Sequence, residues 1–142
     1  MQNNISATNS PFLGEEWQTN WQHALSRSRE VELVGRWTSI TLVLKCDERT
    51  LTCRFVDGVL TGRTDVEDGG RDAIVLRGSS RAWGMFLLPT PPPLHNDVLA
   101  LDRRQDDFAV ESGRHTLIQN LRFVQLVLAL ARTAVQKVGN DA

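Results

Sequence analysis

The stretch from Ile40 to Thr64 constrains the fold more than any other part of the chain. Ile40, Leu42 and Leu44 alternate with Thr41, Val43 and Lys45, the period-2 pattern of a strand with one buried face. The polar run Asp47-Glu48-Arg49-Thr50 predicts a turn. Leu51, Cys53 and Phe55 then alternate with Thr52, Arg54 and Val56. Asp57-Gly58 follows, a dipeptide favoured in two-residue type I′ hairpin turns because both positions need positive φ. A third strand is expected from Val59 to about Thr64. This turn pairs Val56 with Val59 and Phe55 with Leu60. Pairing Asp47 with Thr50 sets Leu44 against Cys53 and Leu42 against Phe55. Each of these pairs is apolar. The opposite face then collects Thr41, Lys45, Thr52, Arg54, Thr61 and Arg63, so the meander has one apolar and one wet face.

A chain of 142 residues is one domain by default. Residues 1–13 read as a mobile arm, 14–138 as the domain and 139–142 as a tail. A helix is expected over 14–28, with Trp17, Trp21, Ala24 and Leu25 on one face. Core packing is favoured over a binding cage for this Trp pair. Residues 65–71 read as a solvated acidic loop and 73–77 as a fourth strand. Gly78-Ser79-Ser80 offers an N-cap to a helix over 81–88, with Trp83, Phe86 and Leu87 inward. Pro89-Thr90-Pro91-Pro92-Pro93 stops it. A short helix over 95–104 and a strand at Phe108 and Val110 come next. One long helix is expected from about 115 to 137, with a seam of Leu117, Leu121, Val124, Leu128, Ala131 and Val135. It is apolar nearly all round, so it must be covered on several sides: by core, by a ligand cavity or by a second subunit. Strands in the first half and helices in the second give an α+β, two-layer plan.

The chemistry-bearing residues are few. With 16 Lys+Arg against 17 Asp+Glu the net charge is −1, which argues against a nucleic-acid partner and against polybasic membrane attachment. No apolar stretch is long enough for a membrane span. Residues 1–10 are polar and Asn-rich, without a secretory leader's apolar core, so a cytoplasmic, reducing setting is expected. Cys46 and Cys53 read as buried free thiols. No zinc or calcium spacing is present, and no metal or cofactor is expected. Among the histidines, His95 stands out, two residues before Asp97. An imidazole beside a carboxylate can act in acid–base chemistry. The favoured reading makes Asn96 or Asp97 a helix cap.

Several phrases, in their order, resemble the sterol carrier protein 2 family. They are Arg54-Phe55-Val56-Asp57-Gly58-Val59, Asp72-Ala73-Ile74-Val75-Leu76-Arg77-Gly78-Ser79, Gly78-Ser79-Ser80-Arg81-Ala82-Trp83 and Phe108-Ala109-Val110-Glu111-Ser112-Gly113. The resemblance spans about Trp17 to Arg132 and points to a bacterial branch. Residues 89–95 depart from it, since many members have a shorter glycine-containing link there. It implies a mostly antiparallel five-stranded sheet with helices on one face. It also implies an apolar cavity between them for a lipid, sterol or acyl chain. The expected walls are Trp37, Phe55, Trp83, Phe86, Leu87, Leu99, Phe108, Leu121 and Val124, with His95 or Arg104 at the mouth. The expected activity is non-catalytic binding of a hydrophobic small molecule. Alternatives are a small enzyme or enzyme subunit using His95 and Asp97, and a dimerisation module. Homodimerisation or association with an enzyme would fit these alternatives.

Overall fold

The computed structural model describes residues 11–93, 95 and 97–139. The chain enters the fold earlier than expected. Phe12 and Leu13 are buried, so the boundary placed at residue 14 falls inside the core. Residues 1–10 of the expected arm and 140–142 of the expected tail lie outside the described residues.

Helix α1 (Glu15–Arg27) opens with Glu15 and Glu16 and closes with Arg27, a charge order that suits the helix dipole. Trp17, Trp21 and Leu25, four apart, form its buried stripe. Ser28 ends α1, and its hydroxyl accepts from the Val31 amide to cap α2 (Arg29–Val34). The sequence reading did not anticipate α2, whose six residues are too short to show a period.

The sheet contains β1 (Ile40–Cys46), β2 (Arg49–Val56), β3 (Val59–Thr64), β4 (Ile74–Gly78) and β5 (Phe108–Ser112), in the order β3-β2-β1-β4-β5. Only the β1–β4 pair is parallel. The hairpin at Asp57-Gly58 forms as expected, with φ of 51° and 80°, and pairs Val56 with Val59 and Phe55 with Leu60. The β1–β2 register differs from expectation by two residues. Leu44 faces Leu51, Leu42 faces Cys53 and Ile40 faces Phe55. The turn is Asp47-Glu48, because Asp47 takes the left-handed conformation (φ 55°) that aspartate tolerates. Its carboxylate accepts from the Ser80 hydroxyl, and its amide donates to the Gly78 carbonyl, which pins the turn to β4. A shift of two keeps every side chain on its face.

A bulge between Arg54 and Phe55 makes a second correction. Beyond it Arg63 pairs with Cys53 and shares the helix side, where its guanidinium donates to Gln18 Oε1 at 2.7 Å. The outer face is also less wet than expected. The 65–73 connection runs across it, and the Thr52 hydroxyl donates to the Val66 carbonyl and accepts from the Asp68 amide. Lys45–Glu67 and Arg54–Asp68 ion pairs fasten this crossing over a small cluster of Val43, Ala73 and Val75.

All helices pack on the other face. They include α3 (Ser80–Phe86), α4 (Val98–Arg104), α5 (Arg114–Gln119) and α6 (Leu121–Gln136). The single long C-terminal helix of the sequence reading is two helices. Asn120 breaks it by turning its side chain back to the Thr116 carbonyl at 2.9 Å, the local competition that disfavours Asn inside helices. Helix α6 buries Phe123, Val124, Val127, Leu128, Ala131 and Ala134 within the chain's own core, which accounts for its apolar surface without a second subunit. Among the described residues, no helix is long and apolar enough to cross a membrane.

Candidate functional site

The space between sheet and helices is where the sequence reading placed a cavity, and aromatic rings fill it. Trp83 meets Phe86 and Phe108 edge-on at 5.8 and 5.2 Å. Phe55 meets Phe123 at 5.3 Å. Phe12, Trp17 and Trp21 bridge these two groups, with Phe12 4.8 Å from Trp83 and Trp21 6.3 Å from Phe55. The bridging rings are the ones the sequence reading assigned to an arm or to plain packing. Buried indole N–H groups need acceptors. Trp17 and Trp21 donate to the Ala131 and Val127 carbonyls of α6, and Trp83 to the Lys45 carbonyl. Gly78 makes the Trp83–Phe108 contact feasible. A Cβ there would lie 2.7 Å from Phe108 and 3.0 Å from the Trp83 indole nitrogen.

The expected wall residues therefore separate. Phe55, Trp83, Phe86, Leu87, Phe108 and Val124 are buried, and Leu99 and Leu121 are partly buried against the same core. Trp37 is a correction. It is 85% exposed on the turn between α2 and β1, under the Arg36 guanidinium, and lines no interior space. Arg104 is exposed at the end of α4. Asp97 is the N-cap of α4, its Oδ1 accepting from the Leu99 amide at 3.1 Å. The His95 Nδ1 lies 3.1 Å from the Pro93 carbonyl. Its Nε2 is buried without a hydrogen-bond partner among the described residues.

A small cleft next to this core, between α3, α4 and α6, takes in the expected wall residue Phe86. Phe86, Asp97, Val98, Gln125, Leu128, Ala129 and Arg132 line about 120 Å³. The ends of α3 and α6 are joined here by side chains. Arg132 Nε donates to the Phe86 carbonyl at 2.8 Å and Gln136 to the Leu87 carbonyl at 2.9 Å. The Arg132 guanidinium also lies 4.8 Å from the Phe86 ring centre. The sequence reading named Phe86 and Asp97 but missed Arg132. Its signal was available: Arg132 is four residues after Leu128, a charge placed on an otherwise apolar seam.

Two larger grooves run along α1 and β3. One, of about 680 Å³, is walled by Glu15, Gln18, Gln22, Arg49, Arg63 and Asp65, a polar lining unsuited to an apolar molecule. The other, of about 410 Å³, sits beside the hairpin turn among Leu25, Val31, Val59 and Leu60. Neither contains any of the side chains predicted as ligand walls, whereas a third hollow of about 300 Å³, among Ile40, Arg54, Phe55, Asp72 and Ala73, includes Phe55.

No family model matches the chain, and no curated protein is significantly similar to it. Two solved structures share its fold. The solution structure of a conserved hypothetical protein from Thermus thermophilus, described as possibly a sterol carrier protein, superposes with a TM-score of 0.60 at 18% identity, over 84% of this chain and 87% of that one. The crystal structure of sterol carrier protein 2 superposes with a TM-score of 0.60 at 18% identity, over 82% of this chain and 93% of that one. The chain thus has a sterol carrier protein 2-like fold.

Proposed function

We propose, from this sterol carrier protein 2-like fold, that the protein binds a hydrophobic small molecule between the α3–α4 segment and α6. The observation carrying the proposal is the cleft of Phe86, Val98 and Leu128, closed by two side-chain tethers where α3 meets α6. Both fold neighbours carry sterol-carrier descriptions, which supports an apolar ligand.

The volume sets the mechanism. A cleft of 120 Å³ is smaller than an apolar cavity of about 150 Å³ that accepts benzene, and well below the roughly 300–1,000 Å³ of ordinary ligand pockets. A lipid-sized ligand therefore enters only with the α3–α4 segment displaced outward. That segment has short helices and a proline-rich link, and no strand passes through it. Of its two tethers, the neutral Gln136 bond contributes about 1 kcal/mol and the charged Arg132 bond about 1.5–3 kcal/mol. A ligand burying roughly 200 Å² of apolar surface gains about 5 kcal/mol and re-covers Phe86 and Leu87. Burial exceeds the cost of these two tethers, while Trp83, bonded to the Lys45 carbonyl and packed on Phe108, keeps the start of α3 on the sheet. Catalysis is not part of this reading, in which Asp97 serves as a cap.

The test is direct. Organic extraction of the purified protein, followed by mass spectrometry, should yield a co-purifying apolar molecule. The stripped protein should bind the neutral fluorophore N-phenyl-naphthylamine. A protein that carries nothing and leaves the fluorophore in water overturns the proposal.

A further inference from the structure

We propose that Trp37 anchors a two-fold homodimer, in which the indole of each copy enters the apolar hollow beside the hairpin turn of the other. This surface shares no residue with the cleft between α3, α4 and α6.

Trp37 stands apart from the other tryptophans. Trp17, Trp21 and Trp83 are buried and donate their indole N–H groups to carbonyls, whereas Trp37 is 85% exposed. An indole left in water forgoes a large apolar burial, and Trp is enriched among the residues that anchor protein interfaces. Its turn is held in place. The Thr38 amide donates to the Gly35 carbonyl at 2.9 Å, and the Gly58 amide donates to the Thr38 carbonyl at 2.8 Å. These bonds fix the backbone next to Trp37 against the hairpin. Leu33, Val56 and Val59, each within two residues of Gly35 or Gly58, are exposed as well.

The receiving hollow lies across the same contact. A Cβ on Gly58 would lie 2.7 Å from the Gly35 carbonyl oxygen, so the two backbones touch. Trp37 follows Gly35 by two residues, and Val59 and Leu60 follow Gly58. With Leu25 and Val31, Val59 and Leu60 line about 410 Å³. An apolar cavity of about 150 Å³ accepts benzene, so this hollow has room for an indole. The charges match too. Glu32 and Asp57 line the hollow and no basic residue does, while the Arg36 guanidinium lies 6.0 Å from the Trp37 ring centre and would arrive with it. A surface that carries both the projecting ring and its receptor is self-complementary, and a two-fold axis satisfies both at once. That complementarity favours a second copy over an unrelated protein. Two indoles and the hollows that receive them take roughly 600–1,000 Å² out of water. Stable interfaces bury about 1,200–2,000 Å², so this dimer is weak and forms only as concentration rises.

The experiment takes the full chain from about 10 μM to 1 mM and follows its mass by sedimentation equilibrium and its front-face tryptophan fluorescence under acrylamide quenching. Trp37 is the one tryptophan open to the quencher. The mass should rise toward that of two chains, and quenching should fall in step. Trp37→Ser should stay monomeric with an unchanged urea midpoint, as for a surface substitution. Val59→Asp, which places a charge in the hollow, should stay monomeric while its Trp37 remains quenchable. A parent protein that is monomeric at about 1 mM overturns the inference. So does a dimer whose quenching is unchanged, or one that persists in Trp37→Ser. Quenching that falls only when phosphatidylcholine vesicles are added to a monomer gives the patch to a lipid surface and overturns the dimer. The parent's mass and quenching decide the matter even if a variant does not fold.

Discussion

The Trp21 indole donates a 2.8 Å hydrogen bond to the carbonyl of Val127, joining α1 to the middle of α6 across 106 residues. The carbonyl lies inside a helix, so its second lone pair serves the indole while the first serves the helix. Both residues are fully buried, and the ring faces Phe55 on the sheet. This contact therefore fastens helix to helix and helix to sheet at one point.

Trp21→Phe should keep an aromatic ring in place but lose this bond and part of the packing. The hydrogen bond is worth about 0.5–1.5 kcal/mol net, and the missing ring volume adds a comparable amount. The urea midpoint should move by an amount equivalent to about 2 kcal/mol with an unchanged m-value. A midpoint equal to that of the parent would show that the interior repacks freely around α1.

The hairpin turn gives a second prediction. Gly58 has φ of 80°, and a Cβ there would lie 2.7 Å from the Gly35 carbonyl oxygen. Gly58→Val combines backbone strain with that clash and should cost more than ~1 kcal/mol. Asp57→Asn, which tolerates the same left-handed conformation, should be nearly neutral. Thermal unfolding of the pair checks both statements.

The thiols make the stability pH-dependent at the alkaline end. Burial pushes the Cys53 thiol up to about 12 and also raises Cys46, where the Ser80 hydroxyl partly offsets it. An unfolded thiol ionises near 9.0. The folded state holds these protons longer, so this contribution is full below the unfolded value and is lost as pH rises toward the folded one. Cys53→Ala should flatten the loss of stability between about pH 9 and 12 measured by urea unfolding. In the native parent at about pH 8, a thiol reagent should leave Cys53 unmodified, and rapid modification would contradict its burial.

Asp107 gives the acid counterpart. The Ser79 hydroxyl and then the Arg81 guanidinium hold its carboxyl below 3.8, although desolvation opposes them. That hydroxyl also accepts from the Ala82 amide as the cap of α3. A lowered folded pKa gives stability that is full above the unfolded value and lost as pH falls through the folded one. Asp107→Asn should therefore be less stable at about pH 7, and the gap should close as both proteins are titrated below about pH 3.

The hairpin was legible because turn chemistry and alternation agree at Asp57-Gly58, and α1 because its tryptophans keep helical spacing. The β1–β2 register was not, since a shift by two preserves both faces and the deciding contact, Asp47 with Ser80, is 33 residues away. Asn120 was absorbed into a long apolar pattern because periodicity does not register a side chain bonding to its own backbone. The candidate site was legible only in part. Phe86 and Asp97 carried the signal of two capped helices, one on each side of the prolines. Filled and hollow interiors share one apolar pattern, so the bridging role of Phe12, Trp17 and Trp21 required coordinates. Trp37 was misplaced because an aromatic near a strand reads as core, whereas its turn carries it outward.

The central claim is that an apolar ligand occupies the cleft between α3, α4 and α6. Ala129 is exposed on α6 and lines that cleft, so Ala129→Trp fills it from the solvent side without overpacking the core. The measurement is N-phenyl-naphthylamine affinity in the parent and in Ala129→Trp, with urea unfolding of both. The parent should bind the fluorophore. The variant should lose at least about tenfold in affinity while its stability stays within about 0.5 kcal/mol, as for a surface substitution. Equal fluorophore binding by the two proteins, with stability preserved, would contradict this assignment of the cleft.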